Sequence, residues 1–275
     1  MRRGISWSRM LTGWLLILIG VTANASAQGP QPWAKEKLAN SPRHQEWVMV
    51  KHDNRDVNCF VVYPEVKDKA PTVIVIHEIF GLTDWVEDLT DQLAEAGYIA
   101  IAPDLLSGAG PNGGGSRAFS SQQDAVAAIH DLPAAQITGD LNAAAEYART
   151  LPSCNGKLAV AGFCWGGGQT FRFATDRADL KAAFVFYGPP PQEEALKNIH
   201  CPVYGFYGGN DARISATIPD TEKKMQDAGK LYMPIKYAGA GHGFMRSGEQ
   251  PDAETANKEA HDEAWKRLKA LLGKL

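Results

Sequence analysis

The run "TVIVIHE", residues 72–78, limits the architecture of this chain more than any other stretch. Thr72 to Ile76 are all β-branched, so the segment has no polar face, which suits a strand covered on both sides. Such a strand needs helices above and below it, and the rest of the chain supplies them. "YIAIAPDL", "KLAVAGF", "KAAFVFYG", "CPVYGFYG" and "YMPIKYAG" read as further strands. Helical periodicity separates them in "DWVEDLTDQLAEAGY", which ends at a capping Gly97, in "GGQTFRFATD" and in "TIPDTEKKMQDAG". An amphipathic helix, "AETANKEAHDEAWKRLKALL", closes the chain. Two alternating runs, "EWVMVKH" and "VNCFVVYP", flank the turn "DNRD" and predict an antiparallel edge pair. The expected fold class is α/β, a mostly parallel central sheet with helices on both faces.

The amino terminus is set apart from this pattern. Arg2, Arg3 and Arg9, the apolar stretch "LTGWLLILIGV" and the small residues Ala25-Ser26-Ala27 have the layout of a secretory signal. Residues 1–27 are therefore expected to be a signal peptide, with cleavage near Ala27 and Gln28 and an exported, periplasmic or secreted product. Residues 28–45, with Pro30, Pro32 and Pro42, read as an extended leader, and residues 46–275 as a single domain. The formal charge of −3 becomes three units more negative without those arginines. A mildly acidic surface argues against nucleic acid and against anionic membrane. The expected form is a monomer that does not hold a membrane once the signal is cleaved.

Four cysteines, Cys59, Cys154, Cys164 and Cys201, are too few for a disulfide scaffold. Cys154 and Cys201 each precede a strand and are candidates to pair, with buried thiols the preferred reading.

Cys164 is different, because it lies in "GFCWGG" between a strand and a helix. Flanking glycines permit a strained turn that lifts a side chain clear, and the helix N-terminus favours a thiolate there. The motif alone leaves two readings open, a nucleophile or a buried thiol beside packing glycines. Three other segments are expected at the same sheet edge, where ligands bind in such folds. "GGND" offers Asp211, "GAGHGF" offers His242, and "HEIFG" offers backbone amides. The order nucleophile, acid, histidine is that of α/β-hydrolases. His242 would act as base and then acid, with Asp211 holding its tautomer. The amides of Ile79 and Trp165 would form an oxyanion hole. Glu78, beside a buried strand end, needs a partner, either a structural salt bridge or a place against Cys164 and Arg246.

Together "HEIFG", "APDL", "GFCWGG", "GGND" and "GAGHGF" resemble the dienelactone hydrolase family of α/β-hydrolases, over roughly residues 45–272. The resemblance implies an α/β-hydrolase fold and an esterase or lactone hydrolase, carboxymethylenebutenolidase-like, that needs no cofactor and no metal. It implies Cys164 as nucleophile, Asp211 and His242 as its triad partners, and Glu78 as the acid contacting the thiol. Arg246 matches an arginine that binds the substrate carboxylate, so a small anionic ester or enol-lactone is expected. The chain departs from the family where a second arginine follows "PDL": Gly108 stands there, with "SGAGPNGGGS" expected as a mobile loop and Arg117 as its candidate replacement. Competing readings are a cysteine-elbow amidase of the glutamine-amidotransferase type, a non-catalytic exported binding protein, and a redox thiol protein. The first would not require Asp211 or His242, and the last lacks a nearby resolving cysteine.

Overall fold

The structure is a computed structural model and describes Met1 and residues 31–275. The expected signal segment, Met1 apart, and its cleavage site lie outside the described residues. Eight strands form one sheet: β1 (Gln45–His52), β2 (Arg55–Val62), β3 (Ala70–Ile76), β4 (Ile99–Pro103), β5 (Cys154–Phe163), β6 (Ala182–Phe186), β7 (Val203–Gly208) and β8 (Tyr232–Tyr237). Their spatial order is β1-β2-β4-β3-β5-β6-β7-β8. β2 pairs antiparallel with β1 and β4, and all the other pairings are parallel. This is the α/β-hydrolase arrangement, a mixed, mostly parallel sheet.

The helices are α1 (Pro32–Ala39), α2 (Asp84–Glu95), α3 (Gln122–His130), α4 (Ala134–Thr150), α5 (Trp165–Asp176), α6 (Glu193–Leu196), α7 (Ala212–Ser215), α8 (Ile218–Asp227), α9 (Phe244–Ser247) and α10 (Thr255–Leu272). Each face of the sheet carries its own apolar core. Ile74, Val160 and Val185 point to one side, with Leu141 of α4 and Met225 of α8. Val73, Phe163, Phe186 and Phe206 point to the other, with Leu89 of α2 and Leu268 of α10. Alternate residues of β3 therefore feed opposite cores, which is why its sequence has no polar register. Phe163, Phe186 and Phe206 stack across three adjacent strands at 4.6 and 4.2 Å. Burying each of these rings contributes roughly 2–3 kcal/mol.

Two expectations change, and for Cys154 and Cys201 the preferred reading, buried thiols, holds. The leader is not wholly extended: Pro32 opens α1, whose Trp33, Ala34 and Leu38 pack onto the α2 side of the sheet. Proline suits a first helical turn, where its missing N–H has no partner to lose. Cys154 and Cys201 are free thiols, as are Cys59 and Cys164. β6 separates the strands they introduce, a spacing of about 10 Å, beyond the roughly 7 Å a disulfide spans. The segment expected to be mobile is anchored, because Asp104 accepts from Ser116 N at 2.7 Å and from Ser116 Oγ at 2.6 Å. Ser116 Oγ in turn accepts from Leu82 N, tying the segment to the loop after β3. Among the described residues no helix is long and apolar enough to cross a membrane.

Candidate active site

β5 ends at Phe163 and α5 begins at Trp165, so Cys164 alone makes the turn between them. Its φ of 57° and ψ of −117° lie where L-residues are strained. The turn closes only because its neighbours are glycines. A Cβ on Gly162 would overlap the Gly166 carbonyl and Thr170 Oγ1, and one on Gly166 would overlap the Ile76 and His77 carbonyls. Cys164 N donates to Phe186 O at 3.0 Å and Cys164 O accepts from Gly168 N at 3.2 Å, so the backbone is held on both sides. The thiol is partly exposed at the N-terminus of a three-turn helix.

Asp211 follows β7 and is buried. Its Oδ1 caps α7 by accepting from Ile214 N, and its Oδ2 lies 2.6 Å from Nδ1 of His242. Burial alone would favour the neutral acid, but the bond to His242 outweighs it and holds Asp211 below the usual carboxylate range. His242 follows β8, on a loop laced to its neighbours. Asn210 donates to the Ala240 and Gly239 carbonyls, and Asn257 of α10 accepts from Gly241 N. With Nδ1 occupied, Nε2 is left to face the Cys164 thiol, which acts on the charge of the ring. Burial lowers the imidazole's affinity for a proton; the bond to Asp211 and the pull of Cys164 overcome this and push it up to about 9. Three residues spread over 79 positions of chain are thus brought to one place.

Glu78 is buried and pairs with Arg246, whose Nε donates to Oε2 at 2.8 Å. Of the two partners expected for this carboxylate, Arg246 is the one with a direct ion pair. Ile79 and Trp165, the expected oxyanion donors, pack side by side against an apolar wall of Leu106, Ala125 and Ile129. Arg117 does not stand in for the arginine replaced by Gly108: its guanidinium is held by Glu87 at 2.5 Å and Asp84 at 3.3 Å on α2. It borders a cleft of about 400 Å³ beside Phe80 and Phe119, which Cys164, Asp211 and His242 do not line.

Two residues of the site received no role from the sequence. Tyr187, just past β6, has a φ of 40° and is fully buried, with its ring edge-on to His242 at 5.0 Å. Burial and then the charge of Glu78 keep its hydroxyl protonated far above the ordinary tyrosine range. His77 is the second, buried beside the 78–81 turn with its ring against Trp165. Its place in "HEIFG", directly ahead of the loop, was the one signal available. Among the described residues no group of acidic, histidine and cysteine side chains has the arrangement of a metal site.

Comparison with known proteins places the chain in a family. Residues 57–275 match the model of the dienelactone hydrolase family. A protein of Methylorubrum extorquens assigned as a carboxymethylenebutenolidase is 32% identical over 210 residues, covering 72% of this chain and 70% of the relative. One from Saccharolobus solfataricus with the same assignment is 32% identical over 254 residues, covering 80% and 95%. The crystal structure of a protein assigned as a dienelactone hydrolase, from Klebsiella pneumoniae, superposes with a TM-score of 0.74 at 26% identity, covering 85% of this chain and 99% of that one.

Proposed function

The chain belongs to the dienelactone hydrolase family and is a hydrolase of that type, and from that premise we propose that it cleaves a small carboxylic ester or enol-lactone through an acyl-cysteine. The single observation that carries this reading is the row Asp211–His242–Cys164 at the strained turn. Cys164 Sγ attacks the carbonyl carbon as its proton passes to His242, and the developing oxyanion is met by the amides of Ile79 and Trp165. The C–O bond breaks as His242 gives its proton to the departing alkoxide, leaving a thioester. Water then attacks that thioester with His242 as base, releasing the acid and restoring the thiol. Asp211 holds the imidazole's tautomer and steadies the imidazolium.

Arg246 supplies the cation for an anionic substrate, already balanced by Glu78. A substrate carboxylate would compete for that arginine, and the Gly108 position offers it no second one. A panel of p-nitrophenyl esters and enol-lactones, neutral and anionic, tests the reading with Cys164→Ala as control. Turnover that vanishes in the control is expected. A Cys164→Ala protein with full turnover would overturn the nucleophile, and equal rates on neutral and anionic substrates would remove Arg246 as an anchor. The basic start, apolar core and Ala25-Ser26-Ala27 support an exported protein, tested by sequencing the N-terminus of the protein recovered outside the cytoplasm. A start at Met1 would refute export with cleavage.

A further inference from the structure

The oxyanion hole depends on one peptide plane, that of Glu78 and Ile79. In a trans peptide the carbonyl and the N–H point in opposite directions, so whatever holds Glu78 O also aims Ile79 N–H. Two groups hold it. Gly81 N donates to Glu78 O at 3.1 Å, closing a tight turn, and His77 Nδ1 lies 2.8 Å from the same oxygen. The histidine's tautomer follows from its other nitrogen. Leu105 N donates to Nε2 at 3.3 Å, so Nε2 carries the lone pair and Nδ1 the proton. The ring is fully buried, which disfavours the charged form, and it lies flat against Trp165 at 5.6 Å and 16°. His77 therefore touches the frame of both donors, the peptide before Ile79 and the side chain of Trp165. His77 lies just past β3, whose apolar run is already complete at Ile76, so the strand itself needs no histidine there.

We propose that His77 is a positioning residue of the oxyanion hole: its Nδ1–H fixes the Glu78 carbonyl and so aims the Ile79 amide, while its ring backs Trp165. It contacts neither substrate nor thiol and acts through those two neighbours. The inference rests on the acyl-transfer reading above and adds to it a residue that the triad does not contain.

Two reactions of the same thiol separate this role from a general structural one. Acylation by p-nitrophenyl acetate passes through an oxyanion, whereas alkylation by iodoacetamide displaces iodide and forms none. In His77→Leu the acylation rate should fall about tenfold or more, less than the full loss of a donor because Gly81 still holds the carbonyl. The alkylation rate should stay within about twofold of the unaltered protein. His77→Asn, which keeps a donor near Nδ1, should recover most of the acylation rate. Equal losses in both reactions, or normal acylation in a folded His77→Leu protein, would overturn the proposal. Should His77→Leu not fold, the ¹⁵N shifts of His77 in the unaltered protein decide: protonation at Nδ1 supports the role and protonation at Nε2 refutes it. Failure of the acyl-cysteine reading itself would show separately, as an unaltered protein whose p-nitrophenyl acetate turnover survives alkylation of Cys164.

Discussion

Two buried aspartates hold a histidine at the same distance in this molecule. Asp211 meets His242 at 2.6 Å, and Asp140 of α4 meets His52 of β1 at 2.6 Å. They differ in what surrounds the ring and the acid. Asp140 is fully buried and is also gripped by Arg55, whose Nε and Nη2 donate at 3.0 and 3.1 Å, while His52 Nδ1 faces Asp53. That arrangement pins the β1–β2 hairpin to α4, with no nucleophile in the row. Asp211 has only a helix cap as its second duty, and the far nitrogen of His242 is turned to a thiol. An acid–histidine pair is thus a general way to bury a carboxylate. The group on the other side of the ring decides whether it can also move a proton.

The difference is open to direct attack. His242→Ala should cut turnover by three to four orders of magnitude or more (roughly 10³–10⁴-fold), while His52→Ala should leave kcat within about twofold. Comparable losses in both would dissolve the distinction. Changing the acids reverses the emphasis. Asp140→Ala strands Arg55 and should lower unfolding free energy by about 3 kcal/mol with kcat kept, whereas Asp211→Asn should lose roughly 10³–10⁴ in kcat with a smaller stability cost. Denaturant titration beside steady-state kinetics gives both readings.

The Asp211–His242 pair should also respond to pH. His242 binds its proton more tightly folded, at about 9, than an unfolded histidine does at about 6.5. Its contribution to stability is therefore complete below pH of about 6.5 and is lost as pH rises through about 9. Melting scans over that window should show the decline, and His242→Gln should lack that component. For alkyl esters kcat/KM should fall on the same alkaline limb, since the imidazolium that protonates the departing alkoxide disappears.

The smallest effect concerns the backbone. Each region holds a residue with positive φ, 57° at Cys164 and 48° at Asp53. Asp53 sits in a two-residue hairpin turn where aspartate is tolerated, so Asp53→Gly should change stability by under about 0.5 kcal/mol. Cys164→Gly removes real strain and should raise stability by about 1 kcal/mol while ending turnover. A protein destabilised by that change would mean the turn is not strained.

These contrasts also explain what could be read from the chain beforehand. Strands buried on both faces write their position into composition, and β3, β4, β5, β6 and β7 stand out for that reason. α3 and α4 left no comparable mark. Half of the buried residues of α4 are alanines, Ala144, Ala145 and Ala148, and Asp140 interrupts the others, so its apolar stripe is weak. α1 was hidden among prolines. At the site, Cys164, Asp211 and His242 were legible because each ends a strand at the same edge in a known order. "HDNRD" and "GAGHGF" nonetheless both carry a histidine at or beside a turn, and nothing local distinguishes the structural ring from the one facing a thiol. The ion pair of Glu78 with Arg246 was one of two partners open to that glutamate. His77 was silent because its role runs through the carbonyl of the next residue, a contact that no spacing rule encodes.

The central claim is that Cys164 carries the acyl group, and rapid-quench mass spectrometry of the protein mixed with p-nitrophenyl acetate tests it most directly. The account predicts an acetyl group on the Cys164 peptide that forms with the burst of p-nitrophenol and decays at the turnover rate. An acetyl group on another residue that kept pace with turnover, or a burst that persisted in Cys164→Ala, would contradict it.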